Sequence, residues 1–294
     1  MSPAPPAHFS DRLVEAVARR GAPVCIGIDP VFEDLPPALR ARHHEPAPAI
    51  EEFCAGIIAA ASDLVPAVKF QSACFERLGP PGVAILERQC AAAHAAGLIT
   101  ILDAKRGDIG VSARHYAHSA RRTHADAITV SGYLGLEAAA PFLEAGLALF
   151  VLVRTSNPES APIQEARLAD GRTVAELMAD HVAAFGAAPA RTGTRGLSDI
   201  GAVVGATQRA AGAALRRRTP NAIILVPGYG AQGGAADDIR ALLRPDAKTP
   251  AEAGVLVSAS RSIISAGNAL GPAWIDGVRA AAARMRDDLR ALHA

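Results

Sequence analysis

Lysine is nearly missing from this 294-residue chain: Lys69, Lys105 and Lys248 stand against 27 arginines. Net charge is also scarce, with 30 basic residues opposing 29 acidic ones to leave +1. That balance argues against a nucleic-acid binder working by broad phosphate neutralisation. It argues equally against a polybasic membrane-surface protein. No apolar run reaches the roughly 18 residues of a transmembrane helix. Met1 to Ala7 is rich in Pro and Ala and has no basic start followed by an apolar stretch, so it does not read as a secretion signal. The four cysteines (Cys25, Cys54, Cys74 and Cys90) form no CxxC pair and sit in apolar surroundings. They are expected to be free thiols of a cytoplasmic protein, neither disulfides nor a zinc site.

What is present is an alternation. Half of the residues are apolar and 20% are charged, as in an ordinary globular protein. Short apolar runs at 24–28, 67–70, 99–103, 127–130, 148–153, 201–204, 222–226 and 254–257 read as strands buried on both faces. Ala-rich windows near 49–62, 82–96, 110–121, 135–145, 172–186, 207–217, 234–244 and 272–292 read as helices. Ser10 is placed to cap a further helix over 11–20. Eight strand–helix units predict an α/β fold of the (β/α)8 TIM-barrel type, with 1–294 as one domain and residues 1–8 as a flexible tail. A doubly wound open sheet competes. It is weakened because Gly27-Ile28-Asp29-Pro30 follows the first strand where a GxGxxG would be needed. The polar stretch Asn157 to Gly171 reads as a loop over one face.

In such a barrel the chemistry sits at the C-terminal strand ends. The third strand runs into Asp103-Ala104-Lys105-Arg106-Gly107-Asp108. Asp103 and Lys105, two residues apart on an extended backbone, should point the same way. Lys69, at the end of the neighbouring strand, should lie within reach. The expected result is an alternating network of Lys69, Asp103, Lys105 and Asp108. Plain salt bridges closing the barrel top would leave the same trace, but the cost of burying four charges argues that more than stability is served. After strand 7, Pro227-Gly228-Tyr229-Gly230-Ala231-Gln232-Gly233-Gly234 offers backbone amides to an anion, and Arg261 after strand 8 adds a guanidinium. Together they suggest phosphate. Asp29 is either a turn residue before Pro30 or a ligand group, and Ser156 is equally open.

The combination of Val68-Lys69-Phe70-Gln71, Asp103-Ala104-Lys105-Arg106-Gly107-Asp108-Ile109, the glycine-rich strand-7 segment, Ser260-Arg261 and Gly27-Ile28-Asp29-Pro30 resembles the orotidine 5′-phosphate decarboxylase family, in its longer bacterial subgroup. The resemblance implies a homodimer that converts orotidine 5′-monophosphate to UMP and CO2, the last step of de novo pyrimidine nucleotide synthesis, with no metal and no organic cofactor. It implies that Lys69, Asp103, Lys105 and Asp108 are the catalytic set. Asp108 and Ser112 would be contributed across the dimer interface. Asp29 would bind a ribose hydroxyl and Ser156 the pyrimidine. Gln232 and Arg261 would grip the phosphate, Gln232 from a closing loop. Two positions depart from the common pattern: Ser112 stands where many members have Thr, and Ser260 where many have Gly.

The nearest competing reading is a metal-dependent sugar-phosphate decarboxylase or aldolase of a sister barrel. Such a protein would be expected to carry a carboxylate near the end of strand 2, where this chain has Lys69. A non-catalytic barrel that binds a phosphate ligand is the alternative from a different class.

Overall fold

A computed structural model describes residues 8–206, 209–230 and 236–293. Eight strands close into a barrel in chain order, every pair parallel. They are β1 (Val24–Ile28), β2 (Ala67–Gln71), β3 (Ile99–Arg106), β4 (Ala127–Val130), β5 (Ala148–Arg154), β6 (Ser198–Val204), β7 (Ala222–Pro227) and β8 (Val255–Ala259). Closure between β1 and β8 removes the open-sheet alternative. Several strands exceed their expected ends. β3 runs on through Ala104, Lys105 and Arg106, and β6 starts three residues early at Ser198. Hydrogen-bonding to a neighbouring strand, which a hydropathy pattern does not register, extends them.

Two apolar layers hold the barrel. One lies between the strands and the outer helices. It includes the stacked pair Phe53–Trp274, with ring centroids 5.2 Å apart, which joins Pro46–Ala61 to the long last helix Trp274–Arg290. The other fills the lumen with Cys25, Ile101, Phe150, Leu225 and Leu256, among others. α1 (Phe9–Arg20) seals that lumen at the N-terminal strand ends, where Phe9 meets Phe150 edge-on at 5.9 Å. Polar contacts fix its angle. Arg12 Nη1 lies 2.6 Å from Asp126 Oδ1, and Asp11 accepts from the backbone amides of Thr194 and Arg195. Ser10 does not cap α1, because the helix begins one residue before it. Its backbone N–H donates to Asp199 Oδ1 at 2.9 Å, and His8 Nδ1 lies 2.8 Å from the other oxygen. His8, expected in the tail, is therefore anchored.

With α1 across its floor, the barrel opens at the C-terminal strand ends. The four cysteines are free thiols, three of them buried. Among the described residues no helix is long and apolar enough to cross a membrane.

Candidate active site

A cavity of about 680 Å³ opens at the C-terminal strand ends. Asp29, Lys69, Asp103, Lys105, Ser156 and Arg261 all line it, although they come from five different strand ends.

A chain of opposite charges runs across one wall. Lys69 Nζ lies 2.8 Å from Asp103 Oδ2 and 3.7 Å from Asp29 Oδ1, and Lys105 Nζ lies 2.6 Å from Asp103 Oδ1. Asp103 thus holds one ammonium on each carboxylate oxygen. Burial alone would push its carboxyl pKa up, but Lys69 and Lys105 outweigh burial and hold it well below the usual carboxylate range. For Lys69, burial works against the charged form, and Asp103 and Asp29 more than reverse it, so the ammonium titrates far above the usual lysine range. Both groups are fully ionised near neutrality. Exposure grades along the chain: the side chain is 7% exposed at Lys69, 9% at Asp103 and 45% at Lys105. Lys105 is therefore the end that meets the cavity.

The network differs in membership from the sequence-based expectation. The second carboxylate joined to the lysines is Asp29. Asp108 accepts a hydrogen bond from the Ile109 backbone N–H at 2.8 Å and forms no ion pair among the described residues. It stands half-exposed at the rim, with Ser112 exposed on the first turn of the helix Gly110–Arg122. Asp29 Oδ1 is buried without a hydrogen-bond partner, as suits an acceptor for a ligand hydroxyl.

Simple strand alternation does not explain how Asp103 and Lys105 meet. The pairing steps from Leu102↔Ile128 to Arg106↔Val130, so β3 spends two extra residues opposite Thr129. Lys105 lies in this bulge with φ +47°, a left-handed conformation rare outside glycine. Thr129, buried at 1% exposure, and Gln71, whose Nε2 lies 3.5 Å from Asp103 Oδ2, were not singled out as site residues from sequence. Their signals were a hydroxyl in an otherwise aliphatic strand and an amide closing β2.

The part of the cavity lining that follows β7 and β8 suits an anion. Arg261 begins the short helix Arg261–Ile264 and has no ion pair among the described residues. Gly228 and Gly230 take φ of +94° and +73°, turning the chain after β7 toward the cavity. Gln232 lies outside the described residues. Ser260, immediately before Arg261, packs onto Gly27 so closely that a Cβ at Gly27 would stand 1.9 Å from Ser260 Oγ.

The excursion 157–171 covers one side of the cavity through Asn157, Ser160 and Gln164. Arg154 organises it. Its buried side chain donates to Ser160 Oγ at 2.6 Å and Gln164 Oε1 at 3.2 Å and pairs with Glu165. It is a loop strut whose two terminal nitrogens are engaged in protein contacts, while Nε is buried without a partner.

Residues 22–273 match the model of the orotidine 5′-phosphate decarboxylase / HUMPS family. The chain belongs to this family. Among curated relatives, the orotidine 5′-phosphate decarboxylase of Rhodopirellula baltica is 40% identical, covering 96% of this chain and 99% of its own. That of Salinispora tropica is 41% identical, covering 96% and 97%. The solved structure of the Leishmania donovani OMP decarboxylase superposes with a TM-score of 0.78 at 32% identity, over 97% of this chain and 98% of that one. The family assignment covers every strand of the barrel, and with it every described residue of the cavity wall.

Proposed function

We propose that the protein is an orotidine 5′-monophosphate decarboxylase acting in pyrimidine nucleotide synthesis, as its near-full-length relatives are named. The observation that carries this reading is the Lys69–Asp103–Lys105 chain, which presents one ammonium to a cavity also lined by Arg261, a guanidinium with no ion pair among the described residues. In the reaction, the bond from C6 of the pyrimidine to the carboxylate carbon breaks. CO2 leaves, and the electron pair stays on C6. No adjacent carbonyl accepts that pair, so fixed charge must stabilise it. Lys105 supplies the charge and then the proton to C6, and solvent reprotonates its amine. Asp103, facing the substrate carboxylate, disfavours the ground state. Asp103, itself held by Lys69, aims the Lys105 ammonium. An arginine could not serve at 105, because its guanidinium is planar, delocalised and effectively never gives up a proton.

Asp29 takes a ribose hydroxyl, Ser156 the pyrimidine, and Arg261 the phosphate, with Gln232 closing over it. Phosphate binding is remote from the breaking bond, so its binding energy goes into closing and drying the site. The metal-dependent sister reaction fits less well. Lys69 Nζ occupies the space between Asp29 and Asp103 where a divalent cation would have to sit.

The functional unit we propose is a homodimer in the cytoplasm. Beside Asp108 and Ser112, the rim exposes Ile109 at 61%, Val111 at 58% and Tyr133 at 88%. Exposed apolar side chains beside Asp108, which has no ion pair among the described residues, suit a second copy that receives Asp108 into its own cavity.

The test follows the orotidine chromophore with the purified protein. Its loss, with UMP formed and with turnover abolished in Lys105→Ala, is the expected result. An unchanged chromophore with well-folded wild-type protein overturns the reading. So does near-normal turnover by Lys105→Ala.

A further inference from the structure

Thr129 lines the cavity beside the chain of charges and contacts both Asp103 and Lys105. We infer that Thr129 is a positioning residue that locks the Asp103–Lys105 pair in its working geometry. This rests on the decarboxylase reading above.

Among the described residues the Thr129 hydroxyl makes two hydrogen bonds, and both go to the pair. Its hydroxyl accepts from the backbone N–H of Lys105 at 2.9 Å and donates to Asp103 Oδ1 at 2.8 Å. The direction of each is fixed by its partner. A backbone N–H can only donate, and an ionised carboxylate can only accept. The hydroxyl therefore relays between them with no freedom left to its proton. Asp103 Oδ1 is the same oxygen that receives Lys105 Nζ at 2.6 Å. Backbone N–H, hydroxyl, carboxylate oxygen and ammonium thus form a ring that begins and ends on Lys105.

The ring lies where the backbone needs it. Lys105 has φ +47° within the bulge that β3 makes opposite Thr129. A non-glycine residue in that region is strained and persists only when its surroundings hold it. The bulge leaves the Lys105 amide outside the strand ladder, and the Thr129 hydroxyl gives it an acceptor. Thr129 itself cannot move. It sits in β4 at 1% exposure, with Ile128 and Val130 paired to both neighbouring strands. Threonine's β-branch also restricts its χ1, which aims the hydroxyl. The rigid partner thus fixes the mobile one.

The experiment compares Thr129→Val, which keeps the shape and removes the hydroxyl, with Thr129→Ser, which keeps the hydroxyl. Wild type assayed in parallel must consume orotidine 5′-monophosphate. If it does not, the functional reading fails and the positioning role falls with it. With an active wild type, kcat in Thr129→Val should fall roughly ten- to a hundredfold, as expected for losing a hydrogen bond to a charged group whose geometry matters. KM should change by less than about threefold, because the phosphate end is untouched. Thr129→Ser should recover most of the lost kcat. Unchanged kcat in a folded Thr129→Val overturns the inference. A parallel loss in Thr129→Ser, or a loss confined to KM, does the same, since it would point to packing or binding. If Thr129→Val does not fold, Thr129→Ser with 6-carboxyl-free UMP as a binding probe decides. Normal binding and near-normal kcat sustain the role of the hydroxyl, and a large kcat loss despite the retained hydroxyl rejects it.

Discussion

Asp103 carries two ammoniums on one buried carboxylate, and its titration has a defined sign. The folded pKa lies well below the ordinary value of about 3.9, so the stabilisation is complete above about pH 4 and is lost as pH falls through the folded value. Lys69 behaves in the opposite way. Its folded pKa is raised, so its contribution is complete below about pH 10.4 and is lost as pH rises through the folded value. Between those limits the network is intact. Asp103→Asn removes the carboxylate and leaves Lys69 buried with the 3.7 Å contact to Asp29 as its remaining ion pair. Denaturant unfolding should show a loss of about 3–5 kcal/mol at pH 7. The gap from wild type should narrow as the pH is lowered below about 4. A gap of constant size down to pH 3 would mean that Asp103 is not held ionised by its neighbours. Lys69 and Asp103 could be named from sequence because a charged residue inside an aliphatic strand is conspicuous. Thr129 could not, because a threonine is ordinary in a strand and its partner is 24 residues away.

At the scale of elements, the join between β1 and β8 governs the anion end. Gly27 lies in β1 opposite Lys69 in β2, and its missing side chain leaves room for Ser260, which leads directly into Arg261. The serine that departs from the common family pattern is thus accommodated by a glycine far earlier in the chain. Gly27→Ala would put a Cβ 1.9 Å from Ser260 Oγ, forcing Ser260 and with it Arg261 to shift. Steady-state kinetics should show KM raised by about tenfold or more and kcat less affected, the signature of weakened phosphate binding. The double substitution Gly27→Ala with Ser260→Gly should restore KM toward wild type, because the clash is then gone. Failure of that rescue would place the defect elsewhere in β1. The glycine was legible in sequence as part of a motif, but its partner was not, since only barrel closure brings the two together.

The whole molecule poses the question of how Asp108 takes part. It stands apart from both lysines within its own chain, at a rim that exposes Ile109 and Tyr133. If each cavity is completed by the neighbouring subunit, Lys105→Ala and Asp108→Ala proteins are each inactive, yet a hybrid dimer has one intact site. An equal mixture should regain roughly a quarter of wild-type activity once subunits exchange at random. Mass-resolved chromatography should confirm the exchange. Confirmed hybrids without activity would show that Asp108 serves its own chain.

What the sequence by itself determined was local. The aliphatic runs fixed the eight strands and their order, because burying both faces of a strand demands uninterrupted apolar residues. The side chains at the strand ends identified the lysines, the carboxylates and Arg261. Tertiary structure decided which of these meet. It brought Asp29 into the ion chain and left Asp108 outside it. It bulged β3 so that Lys105 turns to φ +47°, set Thr129 beneath that bulge, and fitted Ser260 into the space at Gly27. Each of these depends on strand register and closure, which arise from hydrogen bonds between segments far apart in the chain. No periodicity within one segment can encode them.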